Sequence, residues 1–372
     1  MRNGKWVLIW IWLVLLISGC QGSQTRDSSL HNSNAIYISG WLANYDTQRG
    51  YNSFLDHIGI FNEINPVWYN LNPNYFSAGQ SPFINYGGGQ SSLLTVAKSK
   101  GIKVLPTIQN FGTSNFDPVV IHQIMNDPTF RAKHVSEIVT LVLDRGFDGI
   151  DIDYENLYAS DRAVFSTFIS ALGQALTRNG KLLSVTVYAK TTGTESWNGP
   201  GAQDWTKLVT QANTLKVMAY DYHWAGFHAG PICPVDWLRD VLAYARTVPE
   251  AAGKIVIGLP LYGIDWPAGA SGKEIMYNEA MNLVNQGITS PISRSNADHS
   301  SNSYCGSYFE NVEPHFTYSK NNITHTAYYQ DAYALQQRIN IISQYRKVVK
   351  GLAFWRLGGE DPAGWEFLKQ FK

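Results

Sequence analysis

Asp151, Asp153 and Glu155 alternate with Ile152 and Tyr154 in the run Asp148-Gly149-Ile150-Asp151-Ile152-Asp153-Tyr154-Glu155. A period of two places these acids on one face of a strand and Ile150, Ile152 and Tyr154 on the other. Three carboxyls along one strand face repel one another, and such a run persists where the repulsion is used. Like charges raise a carboxyl pKa, so Glu155, last in the row, should hold its proton more tightly than an isolated glutamate. A carboxyl that stays protonated at a strand end is suited to general acid catalysis. A calcium loop built on Asp-x-Asp-x-Asp would need glycine and polar spacers, whereas Ile and Tyr stand here. A solvated acidic edge strand is the other plain reading, and Phe147, Ile150 and Ile152 argue that the opposite face is buried.

Such a strand needs neighbours to hold it. Apolar runs at Ile36 to Trp41, His57 to Phe61, Lys103 to Gln109, Gly149 to Glu155, Leu182 to Ala189, Leu215 to Tyr220, Lys254 to Leu261 and Gly351 to Trp355 read as eight strands. Helical spacing falls between several of them. Val135, Ile138, Val139 and Val142 share one face, as do Val164, Phe168, Leu172 and Leu176. Alternation of this kind predicts an α/β fold, a parallel (β/α)8 TIM barrel over residues 35–372. Residues from about Ala268 to Tyr329 are too many for a simple crossover. They read as a small α+β insertion between the seventh and eighth strands, with a helix over Tyr277 to Gln286 and short strands around His315 to Tyr318 and Thr324 to Tyr329.

The first residues read as a targeting segment. Arg2 and Lys5 precede an apolar run from Trp6 to Ile17 that is short for a bilayer span. Ile17-Ser18-Gly19-Cys20 resembles a bacterial lipobox, which implies a signal peptide over residues 1–19 and a lipid on Cys20. Residues 20–34 then form a polar tether. The expected location is extracytoplasmic, anchored to a bacterial membrane. Gln21, rather than Asp, favours the outer membrane where a cell has two. Lys+Arg and Asp+Glu number 29 each, so loss of Arg2 and Lys5 leaves the mature chain slightly acidic. A nucleic-acid partner would require a basic stripe that is missing. Cys233 and Cys305 could pair in an exported protein, closing a loop worth about 4 kcal/mol in chain entropy. Two buried free thiols are the competing reading.

The acidic strand resembles the Asp-x-x-Asp-x-Asp-x-Glu signature of glycoside hydrolase family 18, the family of chitinases and endo-β-N-acetylglucosaminidases. All four of its acids are present. Met218-Ala219-Tyr220-Asp221-Tyr222 looks like that family's Met-x-Tyr-Asp motif, and Trp355 ends the last strand where the family has a tryptophan under the reacting sugar. The resemblance implies a retaining, substrate-assisted mechanism, an exception to the two-carboxylate schemes. The sugar's 2-acetamido oxygen attacks the anomeric carbon, and Glu155 protonates the leaving oxygen. Asp153 holds the acetamido N–H, Asp151 sits behind Asp153 and shares a proton with it, and Tyr220 orients the acetamido oxygen with support from Asp221. Asp148, Met218, Trp355, Tyr188, Trp41 and Asn110 are the further candidates for substrate contact. Asn65, Trp68, Trp224 and Tyr262 also lie near strand ends.

Pro106-Thr107-Ile108-Gln109-Asn110-Phe111 departs from the Ser-x-Gly-Gly of typical chitinases. It is similar to the branch of spore-cortex-lytic glucosaminidases, as are Tyr277-Asn278-Glu279-Ala280 and Tyr329-Gln330-Asp331-Ala332. The resemblance therefore implies an N-acetylated polysaccharide substrate, peptidoglycan first and chitin oligomers second. A sugar-binding barrel without turnover is the rival of another class; such relatives commonly lose the terminal Glu, which this chain keeps. No cofactor or metal is expected. His223 and His228 lack a third ligand, Gly87-Gly88-Gly89 lacks the Lys-Ser/Thr of a phosphate loop, and no Gly-x-Ser-x-Gly elbow supports esterase chemistry. A monomer is expected.

Overall fold

Side chains on both faces of a barrel strand are buried, inward against the opposite wall and outward beneath a helix. A computed structural model describes residues 35–87, 90–294 and 311–371 of the chain. The leader, Cys20, the tether, Gly88-Gly89 and Cys305 lie outside the described residues. The strands, in chain order, are β1 (Tyr37–Leu42), β2 (Glu63–Leu71), β3 (Phe83–Asn85), β4 (Lys103–Val104), β5 (Thr107–Gln109), β6 (Gly149–Asp153), β7 (Leu182–Tyr188), β8 (Thr214–Met218) and β9 (Ile255–Pro260). They continue with β10 (Tyr262–Pro267), β11 (Lys273–Met276), β12 (His315–Lys320), β13 (Ile323–Tyr328) and β14 (Val349–Trp355). Parallel pairing runs β1-β14-β9-β8-β7-β6-β5-β2, with β4 also on β2, and the β1–β2 pair closes the ring. Among the described residues this is an eight-stave TIM barrel wrapped by helices.

Gly149 explains part of the acidic motif. A Cβ there would lie 2.1 Å from the carbonyl oxygen of Leu182, so only glycine lets β6 and β7 come this close. Beyond it the alternation works as the spacing requires. Tyr154 turns outward, where its hydroxyl meets His134 Nε2 at 2.8 Å and its ring stacks on Phe168. Both partners belong to the helices Pro128–Asp144 and Arg162–Arg178 that cover this side of the barrel.

The second stave is a correction. His57 to Phe61 is not a strand; Ile58–Ile60 forms a 3-10 turn, and the stave is β2, buried at all nine positions. Glu63, Asn65 and Pro66 disguise it, because polar residues and a proline argue against a central strand. The barrel interior accepts them because Glu63 is paired and Asn65 donates to Glu63 Oε1 and to the Leu105 carbonyl. The third stave is split in two at Leu105-Pro106, since proline has no N–H for the ladder. The insertion begins at Tyr262, earlier than Ala268. It is an antiparallel sheet, β11-β10-β13-β12, beside the helix Tyr277–Asn285.

Candidate active site

The inward face of β6 meets side chains from both neighbouring staves and from across the barrel. Asp151 is fully buried. Its Oδ2 accepts from Trp41 Nε1 at 3.0 Å and from Thr107 Oγ1 at 3.0 Å. Thr186 Oγ1 donates to Oδ1 at 3.2 Å, and Lys216 Nζ stands 3.7 Å from the same oxygen. Asp153, one step nearer the barrel mouth, accepts from Gln109 Nε2 at 2.8 Å through Oδ2. Its Oδ1 is buried and without a hydrogen-bond partner among the described residues. Burial raises the Asp153 carboxyl and the Asp151 charge raises it further, against the opposing bond from Gln109.

Glu155 lies just past the strand end, partly exposed on the floor of the mouth. Its backbone is clamped by one carboxamide. The Glu155 N–H donates to Asn110 Oδ1 at 2.8 Å, and Asn110 Nδ2 donates to the Glu155 carbonyl at 2.9 Å. Asn156 follows in a left-handed conformation (φ 53°), turning the chain away. The Tyr188 hydroxyl bonds the Glu155 side chain and also accepts from Asn156 N–H at 3.3 Å. Removal from bulk water raises the Glu155 carboxyl well above its ordinary value, and the Asp153 charge adds to this, partly offset by the Tyr188 bond. The direction is the one the three-acid spacing calls for, but burial is the larger cause.

Tyr220 and Asp221 follow β8. Desolvation pushes the Tyr220 phenol far up, reinforced by the charges of Asp153 and Glu155, so it remains a donor. Asp221 has φ 58° and accepts from the Tyr262 hydroxyl of β10, a residue of the insertion. It touches solvent, yet the walls around it raise its carboxyl to about 6. Trp355 ends β14 partly exposed, its ring edge-on to Trp41 at 6.2 Å between centroids. Glu155, Asp153, Tyr220, Asp221, Tyr188 and Trp355 therefore gather at the C-terminal mouth, where TIM-barrel enzymes carry out their chemistry.

Three expected contact residues sit elsewhere. The Asp148 carboxylate accepts from Val104 N–H at 3.0 Å and pairs with Lys103 at 3.3 Å. It precedes β6, about 20 Å of strand rise from Glu155, and stitches two staves together. Trp41 is buried behind Asp151 with its indole N–H spent on that carboxylate. Asn110 is buried and occupied by backbone. Met218 is nearly buried at the end of β8, in register with Tyr188. Of the weaker candidates, Asn65 and Trp68 are buried, Tyr262 supports Asp221, His223 bonds the Pro231 carbonyl, and Trp224 is exposed. Among the described residues Cys233 is a buried free thiol, pushed up to about 12 by desolvation; Cys305, its expected partner, lies outside them. The groups missed in the sequence are Thr107, Gln109, Thr186, Lys216 and Glu63. Of these only Lys216 carried a signal, a charge alone in the apolar run Leu215 to Tyr220.

Residues 60–360 match the family Glycosyl hydrolases family 18. The chain belongs to glycosyl hydrolases family 18. Among relatives of this family 18 chain is the Bacillus subtilis glycosylase YdhD, whose name assigns it to sporulation. It is 29% identical over 350 residues, covering 90% of this chain and 76% of YdhD. The cortical fragment-lytic enzyme of the same organism is 25% identical, over 75% of this chain and 62% of its own length. By fold, the chain is similar to the Bacillus cereus spore cortex-lytic enzyme SleL (TM-score 0.76, 20% identity, 90% of this chain and 74% of that one). A chitinase from Chromobacterium violaceum is similar to the same degree (TM-score 0.77, 24% identity, 91% and 99%). The family 18 chain is a glycosidase related to cortex-lytic enzymes and chitinases.

Proposed function

We propose that this glycosidase cleaves β-1,4 bonds after N-acetylglucosamine by substrate assistance with retention, and that its polymer is peptidoglycan. The observation that carries the reading is the unpartnered Asp153 Oδ1, buried beside Glu155. A buried polar atom left without a partner is costly unless a ligand completes it. An acetamido N–H supplies the missing donor. In this reading the acetamido oxygen, oriented by the Tyr220 hydroxyl, forms a bond to carbon 1. The bond from carbon 1 to the leaving oxygen breaks, and that oxygen takes the Glu155 proton. Glu155, now ionised, then draws a proton from the water that opens the oxazolinium ring and is restored. Trp355 forms the apolar floor beneath the sugar.

Peptidoglycan is favoured over chitin by the 29% relative named for sporulation and by the cortical fragment-lytic relative. Mass spectrometry of products from peptidoglycan, deacetylated peptidoglycan and chitin oligomers tests the reading. Reducing N-acetylglucosamine ends from the first, with the second inert, are expected. Cleavage of the deacetylated polymer at an equal rate would remove substrate assistance, and turnover of chitin oligomers alone would make the protein a chitinase.

The lipobox-like Ile17-Ser18-Gly19-Cys20 supports extracytoplasmic anchoring through Cys20. Cys20→Ser is expected to release the protein from the membrane fraction; a variant that still sediments with membranes refutes the anchor.

A further inference from the structure

Beneath the mouth lies a group of charges that the proposed chemistry leaves unused. Lys216, at the centre of β8, is fully buried. Its Nζ is 2.8 Å from Glu63 Oε1 on β2, 3.7 Å from Asp151 Oδ1 on β6 and 5.1 Å from the Trp41 ring centroid. Glu63 is itself saturated, with the Tyr37 hydroxyl donating to Oε2 at 2.6 Å and Asn65 Nδ2 to Oε1 at 3.0 Å. A buried carboxylate survives only when paired and hydrogen-bonded. Asp151 meets that condition, and two of its neighbours, the Trp41 indole and the Lys216 ammonium, can only donate. A proton on Asp151 would face both of them.

We propose that Lys216, anchored by Glu63, is a positioning residue that holds Asp151 as a fixed carboxylate and so confines the mobile proton to Asp153 and Glu155. The inference rests on the glycosidase reading for its role, and on the buried geometry for its existence. The cluster of one ammonium and two carboxylates carries a net charge of −1. That charge sits behind Asp153 and sets how readily the two upper acids release protons. Burial raises the Asp153 carboxyl and the fixed carboxylate behind it raises it further, against the one neutral bond that its Oδ2 takes from Gln109. The other titratable groups facing the cluster are Tyr37 on β1, Lys350 on β14 with its Nζ 4.2 Å above the Tyr37 ring, and, toward the mouth, Tyr220 and Asp221. Of these Lys350 is the other cation; it is partly buried beside Tyr37 and senses the charges of both Glu63 and Lys216.

Opposite charge changes distinguish this role from packing. Glu63→Gln leaves the ammonium facing Asp151 alone, and should move both limbs of the kcat/KM against pH profile to lower pH, by about one unit. Lys216→Met leaves two carboxylates and should move them to higher pH by a similar amount. Lys216→Met/Glu63→Gln restores the charge and should return the profile toward wild type. Carboxyl carbon NMR titration of aspartate- and glutamate-labelled protein gives the same ordering without turnover. It decides the inference even if Lys216→Met does not fold or wild type proves inactive on every polymer. Wild-type inactivity would sink the glycosidase reading alone. Profiles and titrations that stay put in Glu63→Gln, or move the same way in both variants, overturn the role of Lys216.

Discussion

At the scale of residues, the proposed chemistry turns on Glu155. Glu155→Gln keeps the shape and loses the proton, and should lower kcat by about 10² to 10⁴-fold on a peptidoglycan-derived substrate. Near wild-type turnover would refute the assignment. The same variant tests the environment. The folded-state carboxyl is raised well above its ordinary 4.5, whereas the unfolded chain has the ordinary value. Folding therefore takes up a proton between the two, and the stability this contributes, complete below the ordinary value, is lost as pH rises through the raised one. Glutamine never ionises. Its Tm should match or fall below wild type near pH 4 and exceed it by about 2–4 °C at pH 8, as calorimetry would read. A Tm difference independent of pH would mean the carboxyl is not held protonated.

At the scale of elements, the site depends on how closely staves approach and on how the insertion is fastened. Gly149→Ala would press a methyl group into the Leu182 carbonyl, forcing β6 and β7 apart. A loss of about 2–4 kcal/mol in chemical denaturation is expected, with kcat falling because Asp151 leaves its donors. An unaffected midpoint would contradict the close approach. The insertion is fastened through buried Arg356, which donates to Asp46 Oδ2 at 2.5 Å and to Glu274 Oε1 at 3.2 Å, beneath the Tyr45 ring. Asp46 belongs to the loop after β1 and Glu274 to β11, so one guanidinium bridges the barrel rim and the insertion, next to Trp355. Arg356→Met should free that wall and raise KM several-fold with a smaller change in kcat, since orientation rather than proton transfer is disturbed. A kcat loss with KM unchanged would place Arg356 in the chemistry instead.

At the scale of the whole molecule, the residues assigned to proton transfer were legible and those that hold the frame were less so. The spacing of Asp151, Asp153 and Glu155 on one face follows from strand geometry alone. The Met-x-Tyr-Asp run and the strand-terminal Trp355 could be placed at the mouth once eight alternating elements implied a barrel. The β2 stave was missed because Glu63, Asn65 and Pro66 resemble a loop until the partners Lys216 and Leu105, distant in sequence, are brought against them. Asp148 and Trp41 were assigned to the sugar because a motif does not say which end of a strand its first residue occupies, nor which way an indole turns.

The order of side chains along the chain was enough to set the strand period, the face that carries the acids and the family to which the fold belongs, because these depend on neighbours within a few residues. The tertiary structure alone decided which carboxylate is saturated with donors and which keeps a vacant oxygen. That outcome depends on Trp41, Thr107, Thr186 and Lys216 converging on Asp151 from four other staves, and a buried charge is governed by what surrounds it in space rather than by what adjoins it in the chain.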